Sequence, residues 1–277
     1  MKKYELTEQT IVVNNVTLYR IRAINDFSDV SNGDLGGYIE KEGNLSQEGY
    51  AWVYNNAKVY GNAMVYGNAE VYGNAMVYGN AEVYGDALVC GKANVYGDAW
   101  VYGEALVCGN AEVHGDAKVY GDANVHGDAD VYGNAEVYDG ALVGGNAMVY
   151  GDAKVYGEAL VCGNDEVYGE ALVFGNARVY GYAKVYGEAL VCGNAEVYGN
   201  AEVCGNADVR MNGDYIVFKN WWSSGRYFTW TRSNNMWKVG CFHGTGKQLT
   251  ERARKDGPLT YREYKRVVNY VESILED

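Results

Sequence analysis

The sequence predicts an all-β fold: a single-stranded, three-sided parallel β-helix of about ten 18-residue turns, with a small β cap before it and an α+β module after it. A six-residue unit, V-Y-G-N-A-x, places 27 consecutive valines at regular intervals from Val53 to Val209. A period of six fits no helical repeat. The block Leu-Val-Cys-Gly begins at Leu88 and again, three units later, at Leu106, which indicates that three units complete one turn.

Alternation within the unit decides which side chains form the core. In A-x-V-Y, Ala and Val lie on one face of the strand, and x and Tyr lie on the other. A narrow three-sided interior accommodates Val and Ala but not the tyrosines, which we expect to point outward. Gly followed by Asn or Asp turns each corner, because these residues tolerate positive φ. Turns stacked about 4.8 Å apart would build a rod roughly 48 Å long.

The ends of a solenoid need caps, because an exposed terminal rung templates aggregation. Residues 1–34 are predicted as an N-terminal β cap, with strands at Thr10–Val13 and Val16–Ile24 separated by the turn signal Asn14-Asn15. The solenoid is assigned to residues 35–209. Upstream of the regular repeat we count three degenerate units, at Gly49/Ala51, Gly43/Leu45 and Gly37/Ile39.

Residues 210–277 are predicted as a separate C-terminal module in the order β-β-β-α-α. Its predicted elements are strands at Tyr215–Phe218, Tyr227–Thr231 and Trp237–Phe242 and helices at Lys247–Lys255 and Thr260–Leu275. A net charge of +5 together with several tryptophans is typical either of nucleic-acid binding or of a small core packed on the last coil, and we favour the core. These tryptophans are Trp221, Trp222, Trp230 and Trp237.

Charge and composition exclude several classes of protein. Residues 35–209 hold 7 basic and 24 acidic residues, and such an acidic rod repels nucleic-acid phosphates. No apolar run approaches the roughly 18 residues that span a bilayer, and no apolar N-terminal stretch suggests a signal peptide. The six cysteines have neither CxxC nor zinc-ribbon spacing, which indicates reduced thiols. We therefore expect a cytoplasmic protein without a membrane partner.

The V-Y-G-N-A-x run resembles the hexapeptide repeat of left-handed β-helix acyltransferases. The segment Gly33-Asp34-Leu35-Gly36-Gly37-Tyr38-Ile39-Glu40-Lys41-Glu42, leading into Asn44-Leu45-Ser46, is similar to the entry segment of YdcK-type β-solenoid proteins of bacteria and their phages. This resemblance covers residues 1 to about 209, and the segment Gly240–Thr245 resembles part of a module often attached to them. The resemblance implies a left-handed coil and, as an alternative function, an acyltransferase that uses acetyl-CoA.

Catalysis of that kind requires a histidine base and usually a loop that interrupts the repeat to form the acceptor pocket. His114 and His126 occupy outward Tyr positions two repeat units apart, hence on different sides of the coil, and no loop interrupts the valine series. Cys241 and His243, two residues apart on a presumed strand, could act as nucleophile and base, but no acidic group is placed to orient them. We therefore expect no catalytic residue and no cofactor, and these four remain the candidates if the protein is an enzyme.

A metal site is the other chemistry to consider. Cys90, Cys108 and His126 fall in one column on successive turns, where rungs about 4.8 Å apart would bring their side chains together. A flat ladder converges poorly on one ion, and the next residue in the column is Gly144. The sequence therefore predicts no metal site.

Departures from the repeat include Asp165 and the corner Asp139-Gly140. Asp165 occupies an inward Ala position, where a carboxylate is unfavourable unless the corner lets it reach backbone N–H groups or water. Asp139-Gly140 reverses the usual order of the corner residues.

One side of the coil is predicted to be an interface. Its first outer column is Trp52, Glu70, Leu88, Leu106, Asn124, Leu142, Leu160, Arg178, Glu196, and its second is Tyr54, Tyr72, Cys90, Cys108, His126, Gly144, Cys162, Tyr180, Tyr198. Both columns read nearly the same in either direction about Asn124 and His126, as a two-fold interface requires. We expect an antiparallel homodimer in which Glu70 of one chain approaches Arg178 of the other. The main alternative for this side is that the tail module folds back over it.

The function expected from the sequence is therefore that of a non-catalytic binding or assembly protein, and a further, unidentified protein partner is compatible with it. A hexapeptide-repeat acyltransferase is the first alternative. A phage-borne decoy or sponge that engages a host factor through its acidic surface is the second.

Overall fold

The computed structural model describes residues 2–222 and 224–276 and has the predicted architecture, a β-solenoid of about ten turns. All 27 valines from Val53 to Val209 are fully buried, while the tyrosines of the repeat lie on the outside. Each strand of the regular coil pairs in parallel with the strand three repeat units further on, as Leu88 does with Leu106. The inside-out assignment and the three-unit turn are thus confirmed.

Three parallel sheets form the three faces, which we name by their outer side chains. The leucine face contains Trp52–Val53, Glu70–Val71, Leu88–Val89, Leu106–Val107, Asn124–Val125, Leu142–Gly145, Leu160–Gly163, Arg178–Gly181 and Glu196–Gly199. The first tyrosine face contains Lys58–Val59, Met76–Val77, Asn94–Val95, Glu112–Val113, Asp130–Val131, Met148–Val149, Glu166–Gly169, Lys184–Gly187 and Glu202–Val203. The second tyrosine face contains Met64–Val65, Glu82–Val83, Trp100–Val101, Lys118–Val119, Glu136–Val137, Lys154–Val155, Leu172–Val173, Leu190–Val191 and Asp208–Val209.

The corners need glycine for both conformation and space. Gly103, at a φ of 73°, is representative: a Cβ placed there would lie 2.9 Å from the backbone nitrogen of Gly121, one turn above. Two corners depart from this rule, those of Asn55, at a φ of 52°, and Asp139. Asp139 itself adopts a φ of 55° and takes the place of glycine, which is why Gly140 follows it rather than preceding it.

The N-terminal segment extends the first tyrosine face. Strands Tyr4–Val13 and Val16–Ala23 form an antiparallel hairpin whose turn residues Asn14 and Asn15 have positive φ. The second strand pairs with Leu35–Ile39, and that strand continues in parallel into the coil. The first strand begins at Tyr4, well before the predicted start at Thr10. Its first residues, Tyr4 to Leu6, also pair with the second strand, on the far side of a bulge between Leu6 and Thr10.

The first turn of the coil is longer than predicted. Ile39 pairs with Val59 and Leu45 with Val65, so each partner lies two positions further along the chain than in the regular coil. Ala51 belongs to the repeat unit of Val53. Only two degenerate units, those of Ile39 and Leu45, therefore precede the regular repeat, and the predicted count of three was wrong. The two additional residues lie in the stretch 46–50, after the 3₁₀ turn Glu42–Asn44.

The C-terminal segment is a four-stranded antiparallel sheet followed by two helices. The predicted strand Trp237–Phe242 was wrong: Gly240, at a φ of 54°, breaks it into a hairpin. The elements are strands Tyr215–Lys219, Tyr227–Thr231, Met236–Val239 and Phe242–Gly244, helices Gly246–Ala253 and Pro258–Glu276, and 3₁₀ turns Asn212–Asp214 and Arg254–Asp256. Among the residues that the structure describes, no helix is both long and apolar enough to cross a membrane.

This C-terminal sheet closes the end of the rod. The side chain of Thr229 accepts a hydrogen bond from the backbone nitrogen of Glu202 at 2.9 Å, and Ser233 accepts one from Asp208 at 2.7 Å. The side chain of Asn212 likewise accepts from the nitrogen of Glu196. These polar side chains satisfy the free N–H groups of the last turn, which would otherwise form an open sheet edge.

Candidate functional site

The leucine face carries an apolar stripe interrupted once, at its centre. Leu88 lies beside Leu106 on the next rung, and Leu142 lies beside Leu160, with Asn124 between the two pairs. All four leucines are only partly buried within the chain. The hydrogen bonds between the tail and the coil involve the last turn, so they leave this stripe uncovered.

The second outer column of this face lacks the stacked rings of the other faces. Stacking is present only near its ends, with centroids 4.1 Å apart for Tyr54–Tyr72 and 5.3 Å apart for Tyr180–Tyr198. The five intervening rungs carry Cys90, Cys108, His126, Gly144 and Cys162. Small side chains beside the leucines make the middle of the face flat.

The centre of the stripe contains polar atoms without partners. Asn124 Oδ1 and His126 Nδ1 are both inaccessible to solvent, and neither has a hydrogen-bond partner among the described residues. The His126 imidazole lies over Gly144, where an added Cβ would collide with its Cε1. Orphaned polar atoms of this kind are uncommon and call for a specific explanation.

Opposite charges lie at the two ends of the stripe. Glu70 accepts hydrogen bonds from the hydroxyls of Tyr54 at 3.3 Å and Tyr72 at 2.6 Å. Arg178 is exposed and forms no ion pair with any residue that the structure describes. Each of the two residues lies three rungs from Asn124.

The thiol column does not converge on a metal ion. Burial, and then the neighbouring Cys108 thiol, raises the pKa of Cys90 to about 11, so this thiol stays protonated at neutral pH. His126 leans toward Gly144, on the side away from Cys108. The structure thus brings the two thiols together and directs the imidazole elsewhere.

His114 lies on the first tyrosine face in a setting that the sequence analysis missed. Its ring is stacked between Tyr96 and Tyr132, with centroids 4.7 and 5.1 Å away. Its Nε2 lies 3.1 Å from Oδ1 of Asp130. Burial raises the pKa of the Asp130 carboxyl, and the nearby imidazole opposes that shift.

This pair follows a rule of the coil. Elsewhere on the coil, a tyrosine hydroxyl donates a hydrogen bond to a glutamate of the next turn. That glutamate lies two residues before the ring that stacks on the tyrosine, as in Tyr96–Glu112 at 3.0 Å and Tyr150–Glu166 at 3.2 Å. An acid at that position is the sequence signal of such a pair. His114 and Asp130 have the same relation, since Asp130 stands two positions before Tyr132.

The Cys241–His243 pair predicted on one strand was wrong. Cys241 is exposed in the hairpin turn after Gly240, whereas His243 lies on the last strand with its ring against the corner of Gly205. Burial, and then the charge of Lys238, lowers the pKa of His243. No shared strand face holds a nucleophile and a base here.

Most of the tail tryptophans pack in the small core of the C-terminal segment, which is the alternative that the sequence analysis favoured over nucleic-acid binding. Trp230 and Trp237 are almost completely buried, and Trp222 packs against Phe228. Trp221 is the exception, with 81% of its surface exposed.

The repeat itself matches a known family model. A model described as "YdcK Beta solenoid repeat" matches residues 57–69 and 69–85, in the first turns of the coil. The chain therefore contains the repeat of the YdcK β-solenoid proteins, and the predicted resemblance is confirmed.

The chain is also similar to a curated protein of Escherichia coli (strain K12) named "Uncharacterized acetyltransferase YdcK". The two sequences are 41% identical over 63 residues, which is 20% of this chain and 19% of that protein. The match thus spans about a fifth of the relative's length.

Proposed function

We propose that this protein is a non-catalytic binding and assembly protein, and that its leucine face pairs with the leucine face of a second copy in an antiparallel dimer. One observation carries the proposal: the outer side chains of that face read nearly the same in either direction about the rung of Asn124 and His126, with Glu70 matched by the opposite charge of Arg178. A two-fold interface requires such self-complementarity, and nothing in the folding of a single coil does.

The geometry of the pair follows from the sheet. A two-fold axis parallel to the strands, lying in the interface in front of Asn124, reverses the rod axis and places each outer column opposite the same column of the second copy. Leu106 then faces Leu142 of the second copy, and Glu70 faces Arg178 of the second copy. The matched part of the face runs over seven rungs, from Glu70 to Arg178, or about 29 Å. Phe27 stands on Trp52 beyond this stretch and limits it at the N-terminal end.

Unpartnered groups supply the driving force. The two copies together would bury eight leucine side chains, each favourable by about 25 cal/mol per Å² of apolar surface removed from water. The free guanidinium of Arg178 gains a carboxylate, and the Asn124 side-chain amides of the two copies lie opposite each other near the axis. A stripe of this size left exposed on a monomer would be an aggregation hazard.

Paired leucine substitutions test the proposal. Leu106→Glu with Leu142→Glu should convert a dimer into a monomer in light scattering, without loss of β structure in circular dichroism. The matched control is Leu172→Glu with Leu190→Glu, which changes the same repeat position on adjacent rungs of the second tyrosine face. That variant should stay dimeric. A monomeric parent protein, or a dimer that survives the first pair of substitutions, would end the proposal.

Native cysteines offer a test of the register. In the proposed pair, Cys90 faces Cys162 of the second copy, whereas Cys108 faces Gly144 and has no thiol opposite. A short bis-maleimide should therefore cross-link the dimer, and Cys162→Ser should abolish the product. Cys192→Ser, on the second tyrosine face, should leave the yield unchanged.

An acyltransferase is the second candidate function. It is supported by the name of the E. coli relative and by His114, whose imidazole is held by Asp130 as a general base would be. Against it stands the uninterrupted coil, which offers no loop to build an acceptor pocket. Calorimetric titration with acetyl-CoA separates the two: heat of binding that His114→Tyr reduces would favour the enzyme.

A further inference from the structure

We propose that Glu112, His114 and Asp130 on the first tyrosine face bind a divalent transition-metal ion of the Zn²⁺ class. This proposal is independent of the dimer, because the site and the leucine face belong to different sheets.

The donor atoms already lie close together. One ligand atom from each of the three residues lies within 4.8 Å of the other two, and all three side chains are partly buried. Small side-chain rotations would bring an ion to about 2.0–2.2 Å from each nitrogen or oxygen. The rings of Tyr96 and Tyr132 clamp the imidazole from both sides, so it is held in position before an ion arrives.

The charges around this site are uncompensated. Glu112 and Asp130 lie side by side on neighbouring rungs, and in the first outer columns of the three faces no other two acids do so. Elsewhere a lysine neutralises the acid one rung away, as Lys184 does for Glu166 at 2.6 Å. Within the described residues no lysine or arginine pairs with Glu112 or Asp130. Adjacent like charges are unfavourable unless a cation lies between them.

Two buried oxygens on this face lack hydrogen-bond donors. Asp130 Oδ1 is buried and makes no well-aligned hydrogen bond, although His114 Nε2 is 3.1 Å away. Asn94 Oδ1, one rung below Glu112, is likewise buried without a donor among the described residues. Acceptor oxygens that find no N–H or O–H are suited to a metal ion, which needs only lone pairs.

The donor set indicates the kind of ion. One imidazole nitrogen with two carboxylates suits Zn²⁺, Co²⁺ or Mn²⁺, with affinity rising from Mn²⁺ toward Zn²⁺, rather than Mg²⁺ or Ca²⁺, which prefer oxygen alone. The site opens on the rod surface, so water would complete the coordination. The expectation of no metal site rested on the thiol column and overlooked the contact between an outer ring and the acid of the following turn.

Cobalt binding to the full-length protein provides the test. Titration with Co²⁺ should produce visible d–d absorption that Zn²⁺ displaces. The double variant His114→Tyr/Asp130→Glu restores the common pair of the repeat, so it should fold normally and lose more than about tenfold in affinity. Circular dichroism checks the fold of that variant.

A cysteine variant controls for the thiols. Cys90→Ser/Cys108→Ser should bind Co²⁺ as the parent does, with no near-ultraviolet thiolate-to-cobalt band in either protein. Absence of Co²⁺ binding, equal affinity in the His114/Asp130 variant, or binding lost in the cysteine variant would each overturn the proposal.

Discussion

The leucine face and the tyrosine faces share one interior and differ only outside. On the tyrosine faces, neighbouring rings stack at 4.9 Å, as in Tyr102–Tyr120 and Tyr138–Tyr156, and hydroxyls bind glutamates of the next turn. On the leucine face the stack is broken over five rungs and leucines stand beside it. The inward Val and Ala are equally buried on all three. The interior therefore specifies the fold, and the outer columns are free to differ in function.

The largest effect is expected where the faces are the same. Val131→Asp should prevent folding, because an unpaired buried carboxylate costs several kcal/mol. Tyr132→Ser, the adjacent outward residue, should cost only about 1 kcal/mol from lost ring stacking. Thermal melts compare the two variants. Similar losses of stability would contradict the separation of interior and exterior.

A smaller effect is expected at the corner where the leucine face meets the first tyrosine face. Asp165 is fully buried, its Oδ1 accepts a hydrogen bond from the Ala183 nitrogen at 2.8 Å, and its Oδ2 has no partner among the described residues. Burial raises the pKa of this carboxyl from 3.8 to about 6, although the Ala183 hydrogen bond opposes the shift. The ionised form therefore destabilises the folded protein at neutral pH, by an amount on the order of 2–3 kcal/mol.

Two substitutions of Asp165 separate charge from hydrogen bonding. Asp165→Asn should raise the melting temperature at pH 7, because it keeps the acceptor and removes the charge. Asp165→Ala should stabilise less, since it leaves the Ala183 N–H unpaired at about 1 kcal/mol. The folded pKa lies above the unfolded one, so the gain should shrink as the pH falls from 6 to 3.8. A lower melting temperature for Asp165→Asn at pH 7 would show that the carboxylate has an important partner.

The smallest effect is expected for the asparagine at the centre of the leucine face, compared with an asparagine at the same repeat position on the first tyrosine face. A single polar residue in an apolar interface fixes register at some loss of affinity. Asn124→Leu should therefore keep the dimer but allow shifted registers, which lowers the Cys90–Cys162 cross-link. Asn94→Leu makes the same change on the first tyrosine face and should leave the cross-link intact. Equal cross-linking in both variants would mean that Asn124 does not set the register.

Much of the fold could be predicted because the same pattern of inward, outward and corner residues recurs in nearly every repeat unit. The six-residue period and the three-unit turn follow from Val53 to Val209 alone, and nearly every corner repeats one glycine geometry. The irregular segments occur once, so no periodicity reveals them. The longer first turn and the break at Gly240 each depend on a local turn that propensity does not locate. Handedness, taken from the resemblance, stays a prediction.

The candidate sites were predicted in part. The columns of the leucine face follow from counting three units to a turn, and the structure has the same residues on that sheet. The contact of His114 with Asp130 was missed because side chains lean along the rod. The partner of an outer ring is therefore the acid two positions before the next ring of its column, not the residue directly above it. The orphaned oxygens of Asn94 and Asn124 depend on rotamers, which the sequence does not fix.

The coil repeats in units of six residues, but a face returns only after three units. Recombination that inserts or removes one unit would keep every Val and Ala inside while moving all later residues to the next face. A gain or loss of three units would instead change only the length of the rod. Lineages of such a gene can therefore drift in length without losing the fold. A single-unit change between Leu88 and Leu160, however, would divide the leucines between two faces, so this stretch should tolerate length variation only in whole turns.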